Sequence, residues 1–449
     1  MAEIKAYILC RFALESRLYQ SWLPQLPFPY EIVDEFPGHW QPPDDCGIII
    51  SHMHYRWDEV TALRRIYESR QIPILILADG ILEFRNIFEH PDLANGAVFQ
   101  PIIGHKLACI GRGQARIIES WGNVGKCEVV GFPRLDSLVN SAAAPINKSG
   151  PFRLLICSAN TPAFTEAQRS SVLESLAHIK SRFEGNPLVN GRPTEITWRL
   201  TDGLDEELGF SPSPPREELP SLLETIDNSD AVITTPSTIF LESVLKGRPT
   251  AILDFHNTPH FVPAAWMINA PKHLNTILGE LANPPTAKML FQNYVLHDQL
   301  ECSSAATPRL LKLISEMVAI GDEARRTKSK LEFPPRILAD SNHGFARVET
   351  GFSMADLFPE NSVFKNNDVG QLQLELNLAI QRMGEVPDQL FRLLQQLEER
   401  NERLDELQQR YNDTKARLDA AKERLKKWRN SAAAGKGTPP VEDGGDDEI

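Results

Sequence analysis

The chain contains 449 residues, too many for one compact core, which suggests two to three domains of about 150 residues each. Hydrophobic residues make up 42% and charged residues 24%, an ordinary globular mix that excludes wholesale disorder and collagen-like structure. Asp and Glu number 60 against 47 Lys and Arg. The resulting net charge of −13 lacks the basic field of a nucleic-acid-binding protein.

The six cysteines occur singly, mostly within apolar runs and without a CxxC pair. This pattern is typical of buried thiols in a reducing compartment, and not of a disulfide framework or a zinc site. The N-terminus lacks a signal-peptide pattern, and no run approaches the ~18 apolar residues of a membrane-spanning helix. We therefore expect a cytoplasmic protein whose membrane contact, if any, is peripheral and at the inner face.

The first 140 residues alternate short apolar runs with helical periodicity. Strands are predicted at 4–10, 30–36, 47–51, 73–78, 106–110 and 128–130. Helices are predicted at 14–23, 57–69 and 114–121. Such alternation is typical of an α/β layer with a parallel sheet, so residues 1–140 are interpreted as a Rossmann-like domain.

A second α/β series follows a small, polar, Pro- and Gly-punctuated segment at 141–151, which has the composition of a linker. Its predicted strands are 153–158, 195–200, 231–234 and 250–254, and its predicted helices are 165–183, 219–228 and 239–246. We therefore expect a second Rossmann-like domain over 141–350. Two such domains would face each other across a cleft.

The last hundred residues follow a different pattern. Residues 351–386 are interpreted as a linker, and residues 387–430 repeat every seven residues with Leu or Tyr at 390, 397, 404, 411, 418 and 425. Six heptads of this kind predict a coiled coil that begins near Pro387 and makes the chain a homo-oligomer. The alternative is a helix that folds back on the chain's own domains. Arg400 and Thr414 interrupt the second row of the seam. The acidic, Gly-rich tail at 431–449 is predicted to be disordered.

The segment most informative about function is 230–254, DAVITTPSTIFLESVLKGRPTAILD. A buried strand ends at Thr234, a turn carries Ser237 and Thr238, and a helix that carries Glu242 begins at once. Two hydroxyls and free backbone N–H groups at the carboxyl end of a parallel strand suit an anion such as a diphosphate. The alternative is that Ser237 only caps the helix and Glu242 is an exposed helical residue.

This segment resembles the donor-binding motif of GT-B glycosyltransferases, in the group of bacterial surface-polysaccharide and CDP-glycerol glycerophosphotransferase-like enzymes. Residues 129–136, VVGFPRLD, are similar to the G-x-P-R-x-D segment that joins the two domains in that group, and 110–121 resembles the preceding turn and helix. The resemblance covers residues ~105–260. It implies two Rossmann-like domains, an N-terminal one for the acceptor and a C-terminal one for the nucleotide donor.

The resemblance also implies roles for individual residues. Ser237 and Thr238 would hold donor phosphates and Glu242 the ribose. Arg134 would contact phosphate or form a salt bridge with Asp136. The turn at 158–161 would face the cleft through Ser158 and Asn160, or serve only as a capping turn.

An inverting transfer needs a base, which in GT-B enzymes usually comes from the first domain. Asp79 and Glu83 follow the strand at 73–78, and His52 and His54 follow the strand at 47–51. Each has a structural alternative, such as the Asp-Gly turn at 79–80. Glu83 is the better candidate, because its place in the following helix gives it no evident local task.

His256 and His260 belong to the loop after the strand at 250–254, which could cover the nucleotide base or sugar. A metal site is disfavoured because Pro259 separates the two histidines and no HExxH pattern is present. GT-B enzymes of this kind generally need no bound metal, and no cofactor beyond the nucleotide donor is expected.

The leading hypothesis is a glycosyltransferase that moves a sugar, or a polyol phosphate, from a nucleotide donor to a cell-surface glycan precursor or lipid-linked acceptor. Nucleotide-sugar 2-epimerases share the fold and are the first alternative. The second is a non-catalytic GT-B-like scaffold whose coiled coil does the work. The basic stretch at 422–429 could also touch an anionic membrane. The favoured alternative is that it is simply the solvated end of the helix.

Overall fold

A computed structural model describes the chain from residue 4 to residue 433, apart from residues 11–12, 15, 35–37, 53–54, 70, 95, 140, 142–149, 211–219, 257 and 349–368. The described residues form two compact units, which fall within residues 1–359 and 360–449. Within the described ranges, no helix combines the length and apolar composition that crossing a membrane requires.

The first sheet has six parallel strands in the order β2-β1-β3-β4-β5-β6. Its strands are β1 (Lys5–Leu9), β2 (Tyr30–Ile32), β3 (Cys46–Ser51), β4 (Ile74–Leu77), β5 (Lys106–Cys109) and β6 (Cys127–Val129). The helices of this part of the chain are α1 (Arg17–Gln20), α2 (Trp57–Ser69), α3 (Arg112–Ser120) and, after β6, α4 (Asp136–Val139). A 3-10 turn at Leu23–Gln25, a π-helical turn at Arg85–Glu89 and a 3-10 turn at Pro133–Leu135 complete this part of the chain.

The second sheet has the order β12-β11-β10-β7-β9-β8, parallel throughout except for the β8–β9 hairpin. Its strands are β7 (Phe152–Cys157), β8 (Leu188–Val189), β9 (Arg192–Arg199), β10 (Ala231–Thr234), β11 (Thr250–Leu253) and β12 (Trp266–Ile268). Its helices are α5 (Glu166–Gly185), α6 (Leu204–Glu207), α7 (Leu222–Asp227), α8 (Ile239–Leu245) and α9 (Leu274–Ala282). Two α/β sheets of this kind confirm the predicted fold class.

Near-continuous apolar sequences explain why the central strands of both sheets are buried on both faces. All residues of β3 and β4 are buried, as are those of β10 and β11. The predicted helix at 14–23 is the main local difference. It reduces to the four residues of α1, capped by Ser16, because Pro24 allows only a 3-10 turn beyond Trp22.

The chain then returns to the first sheet through α10 (Thr286–Gln299) and α11 (Ala306–Thr327). Leu313, Ile314 and Met317 of α11 share the hydrophobic core of the first sheet, and Arg325 donates to the carbonyl of Cys46 at 2.7 Å. Residues 331–344 follow over the same sheet. The predicted boundaries at 140 and 350 stay predictions, but the first core is completed by residues beyond 300.

The second unit contains one long helix, α12 (Val369–Ala433). It includes the predicted coiled-coil segment 387–430, and it begins well before Pro387, so part of the predicted linker is helical. Residues 351–368 of that linker and 434–449 of the predicted tail lie outside the described residues.

Candidate functional site

Each sheet has one point at which the strand order reverses, so that the connections from the two neighbouring strands lead to opposite sides of the sheet. In the second sheet this point lies between β7 and β10, because β9 lies beyond β7 and β11 lies beyond β10. Ligands of open α/β sheets bind outside the carboxyl ends of the strands at such a point. The loops at 158–162 and 235–238 lie there, and Ala159 donates its backbone N–H to Thr235 Oγ1 at 2.8 Å.

The loops at the carboxyl ends of the two sheets contact each other. Thr238 Oγ1 accepts the backbone N–H of Ile81 at 3.4 Å, and a Cβ atom on Gly80 would lie only 2.6 Å from the same oxygen. Arg85 donates to the carbonyl of Pro162, and Gln168 donates to Glu89 at 2.5 Å. Thr238 therefore meets the loop after β4 at the interface between the two sheets.

Ser237 and Thr238 lie at this interface with their hydroxyls engaged. Ser237 Oγ accepts the N–H of Ile239 at 3.0 Å, and Thr238 contacts the loop after β4 as described. The helix α8 that follows has seven residues. The predicted contacts of Ser237 and Thr238 with donor phosphates stay predictions.

Glu242 and Arg134 form an ion pair across the interface, with 3.0 Å between Glu242 Oε1 and Arg134 Nη2. Burial raises the pKa of Glu242, and the charges of Arg134 and Arg17 oppose that rise. The pairing of Arg134 with Asp136 is not observed. Asp136 instead accepts the backbone N–H groups of Ala306 and Thr307, at 2.6 and 2.9 Å, at the start of α11.

Glu83 precedes the π-helical turn and is 8% exposed. It pairs with Arg85 and accepts from Asn86 Nδ2 at 3.1 Å, so it has the local task that the sequence did not reveal. Burial raises the pKa of Glu83; the charge of Arg85 opposes this rise, whereas that of Asp254 adds to it.

Asp254 follows β11 and lies against the same interface. It pairs with His260 Nε2 at 3.1 Å, and it accepts from the Thr258 hydroxyl at 2.9 Å and the His256 backbone N–H at 3.0 Å. Burial opposes ionisation of Asp254, but the hydrogen bonds from His260 and Thr258 outweigh it and lower the pKa. The exposed side chain of His256 lies at the rim.

His52 and Asp79 lie at the carboxyl ends of β3 and β4. His52 Nδ1 is 2.9 Å from the hydroxyl of the fully buried Tyr19. Burial lowers the pKa of His52, while the charge of the exposed Asp79 acts in the opposite direction. His54 lies outside the described residues.

Ser158 is buried and joined to Thr201, with 2.8 Å between the two hydroxyl oxygens. This bond ties β7 to the loop after β9, which is a structural task. Asn160 is exposed at the tip of the turn. The structure therefore brings the turn to the interface, with Asn160 the member that faces solvent.

The cavity at this interface is small. Its volume is about 20 Å³, and Arg85, Pro162, Pro236, Asp254 and His256 are among the residues that line it. That is room for about one water molecule, whereas ligand clefts measure ~300–1,000 Å³. A larger hollow of about 350 Å³ lies at the far end of α5, lined by Arg182 and Asn275, and no predicted site residue lines it.

Sequence reasoning missed three contributors to this site: Arg17, Arg85 and the pairing of Asp254 with His260. Arg17 and Arg85 carry no motif, and only the packing of the two sheets brings them to the interface. Asp254 ends a predicted strand, which was the available signal. Within the described ranges no group of three or more His, Cys, Asp or Glu side chains is placed to hold a metal ion.

No protein-family model and no curated protein sequence matches the chain. Solved structures similar to it include S. aureus MnaA with UDP, at 9% identity and a TM-score of 0.46, covering 74% of this chain and 100% of that one. A putative UDP-N-acetylglucosamine 2-epimerase from Listeria monocytogenes matches at 13% identity with a TM-score of 0.46. The match covers 74% of this chain and 100% of that one. The wall teichoic acid polymerase TagF matches at 11% identity with a TM-score of 0.44. The match covers 71% of this chain and 89% of that one. These structures are GT-B fold proteins, the group that the motifs resemble.

Proposed function

We propose that this chain is a nucleotide-sugar-dependent glycosyltransferase that moves a sugar, or a polyol phosphate, from a nucleotide donor to a glycan or lipid-linked acceptor. The observation that carries the proposal is the ion pair of Arg134 with Glu242 at the carboxyl ends of the sheets, with Arg17 near enough for its charge to act on both groups. Two guanidinium groups suit a diphosphate, and a carboxylate suits the hydroxyls of a ribose.

Donor binding would exchange partners within this group. In the observed state Arg134 is paired with Glu242, so the two charged groups engage each other and not a nucleotide. Opening of the interface would let the donor phosphates bind Arg134 and Arg17. Glu242, released from Arg134, would then accept hydrogen bonds from the ribose. Reclosure would exclude water and align donor and acceptor.

The contacts favour His52 as the proton acceptor of an inverting transfer. Burial lowers the pKa of His52, which favours the neutral imidazole that a base requires, and the charge of Asp79, which acts in the opposite direction, would stabilise the imidazolium formed when His52 takes the acceptor proton. For Nε2 to act as base, Nδ1–H must donate to Tyr19 Oη. Glu83 holds Arg85 and Asn86, which suits a residue that fixes the interface; its predicted role as base remains the alternative.

The proposal is tested by thermal shift with UDP, CDP, CMP, GDP and ADP. A ligand that binds only the folded state raises the melting temperature, so one base should give the largest rise. R134A and R17A should each weaken the binding of that nucleotide by about 1–3 kcal/mol, because each removes a charged hydrogen bond to it. R326A, which removes an exposed arginine on α11, is the control.

Two outcomes would contradict the proposal. If none of the five nucleotides shifts the melting temperature, the scaffold hypothesis gains. If the chain converts a bound nucleotide sugar to its C2 epimer without an acceptor, it is an isomerase. A nuclear magnetic resonance assay of donor turnover with and without added acceptor separates transfer from epimerisation.

A further inference from the structure

The helix α12 carries an exposed apolar seam along residues 397–428. One row recurs every seven residues, and a second row lies three residues further on. The large apolar side chains of the seam are 53–63% exposed: Leu397, Leu404, Leu407, Tyr411, Leu418, Leu425 and Trp428. Exposed rows with this spacing occupy the a and d positions of a coiled coil, which are buried only against another helix.

The charges beside this seam are of one sign. The e and g positions, which flank the seam on either side, include seven basic residues between 397 and 430: Arg403, Arg410, Lys415, Arg417, Lys422, Arg424 and Arg429. Asn401 and Gln408 occupy the remaining flanking places. Every acidic residue of this segment lies away from the flanks: Glu398, Glu399, Glu402, Asp405, Glu406, Asp413, Asp419 and Glu423.

This pattern opposes the pairing of α12 with itself. In a parallel pair, each g residue lies opposite the e residue five places later on the other helix. Arg410 would face Lys415, Arg417 would face Lys422, and Arg424 would face Arg429. An antiparallel pair would place e against e and g against g, which again brings like charges together. The predicted homo-oligomer would therefore contain rows of like charges.

The spacing also disfavours a flat membrane as the partner. A straight α-helix has 3.6 residues per turn, so a seven-residue repeat drifts by ~20° per heptad. From Leu397 to Leu425 the seam thus turns by about 80° around the helix. A supercoiled partner helix follows such a seam along its whole length, whereas a plane does not.

We infer that α12 forms a coiled coil with a helix of another protein that carries Leu-type residues at a and d and Glu or Asp at e and g. Opposite charges on the flanks determine the choice of partner in coiled coils. The basic flanks of α12 complement such a helix in either orientation, because e and g have the same sign.

The full-length chain itself supplies the probe. Reversing all six flanking charges from 410 to 429 (R410E, K415E, R417E, K422E, R424E, R429E) produces an acid-flanked variant. Mixed with the wild type, it should form a 1:1 complex, while each chain alone stays monomeric at low micromolar concentration in sedimentation velocity. The heterocomplex should be at least about tenfold tighter than wild-type self-association, and it should weaken as salt rises.

A half-reversed variant, R410E/R417E/R424E, sharpens the test because its Glu residues would face Lys415, Lys422 and Arg429 of a second copy. It should form a homodimer at the concentration where the wild type is monomeric. The control variant K426E/K427E changes two charges away from the flanks. It should stay monomeric, as the wild type does. Circular dichroism must show the same helix content in all variants.

Three results would overturn the inference. One is a wild-type homodimer as tight as that of the half-reversed variant. Another is the absence of any complex between wild type and the acid-flanked variant at equal helicity. The third is binding of the wild type to phosphatidylserine vesicles, lost on charge reversal, without formation of the heterocomplex.

Discussion

Glu242 is the residue on which the donor hypothesis depends most directly. Its carboxylate is paired with Arg134 in the observed state, and burial raises its pKa, so the proposed contact with a ribose would replace an existing ion pair. A chemical double-mutant cycle isolates that contact, since it compares loss of the carboxylate with loss of the hydroxyls it would bind.

We predict that 2′- and 3′-deoxy analogues of the preferred nucleotide bind the wild type about 1–3 kcal/mol more weakly than the parent nucleotide. In E242A the parent and the deoxy analogues should bind alike, because the acceptor of both hydrogen bonds is gone. Isothermal titration calorimetry measures the four affinities. An equal penalty for the deoxy analogues in wild type and E242A would remove Glu242 from the ribose site.

His105 makes the pH dependence of stability testable at one residue. Its Nδ1 accepts the N–H of Ile74 at 3.0 Å, and burial together with the charge of Lys126 lowers the pKa of His105 to about 4. The unfolded chain, with a pKa near 6.5, therefore binds a proton that the folded chain does not. Stability should fall as the pH falls from about 6.5 to 4, by at most ~1.4 kcal/mol per pH unit from this group.

The variant H105Q keeps an acceptor for Ile74 and removes the titration. Its free energy of unfolding should decline less than that of the wild type between pH 6.5 and 4, as measured by urea denaturation at several pH values. Parallel profiles for the two proteins would contradict the assignment.

At the scale of the elements, the start of α3 shows how closely the returning chain packs. A Cβ atom on Gly111, which precedes α3, would lie 2.1 Å from the carbonyl oxygen of Gln299 and 2.6 Å from the N atom of Leu300. Its φ of −157° is ordinary extended backbone, so the requirement for glycine here is steric.

We predict that G111A lowers the free energy of unfolding by about 1–3 kcal/mol, because the backbone at the end of α10 must move. The matched control is G185A at the end of α5, where a Cβ atom would meet nothing within 4 Å. That variant should be unchanged or up to ~1 kcal/mol more stable. Equal stabilities of the two variants would mean that α10 does not pack against Gly111.

Sequence reasoning reached the two sheets because their strands are continuous apolar runs, and it reached the turn at 235–238 because a strand, a polar turn and a helix follow one another. It could not predict that Thr238 meets Gly80, that Arg134 meets Glu242, or that Arg85 donates to the carbonyl of Pro162. Those contacts depend on how the two sheets pack, and residues far apart in sequence carry no local signal of that packing.

At the scale of the whole molecule, one buried ion pair fastens the returning chain to the first sheet. Lys106 and Glu128 both have fully buried side chains, with 3.0 Å between Lys106 Nζ and Glu128 Oε1. Lys106 Nζ also donates to the carbonyls of Pro334 and Pro335, and Glu128 accepts the N–H of Ile337 at 2.6 Å.

We predict that K106M lowers the free energy of unfolding by about 3–5 kcal/mol, because it leaves Glu128 buried without its cation. K330M, which removes an exposed lysine a few residues before Pro334, should change stability by less than ~1 kcal/mol. Chemical denaturation of both variants measures the difference. A loss in K106M no greater than in K330M would show that the buried pair does not hold the segment.

The contacts of Lys106 and Glu128 with residues 334–337 also determine when the first sheet can be completed during protein synthesis. The carbonyl of Pro334 that completes the shell of Lys106 is made 228 residues later, which at ribosomal rates is a delay of roughly 10–50 s. During that interval the surface that α11 later covers stays bare on the nascent chain. The core of the first sheet therefore acquires its last apolar residues, Leu313, Ile314 and Met317 of α11, only after about 300 residues have been synthesised.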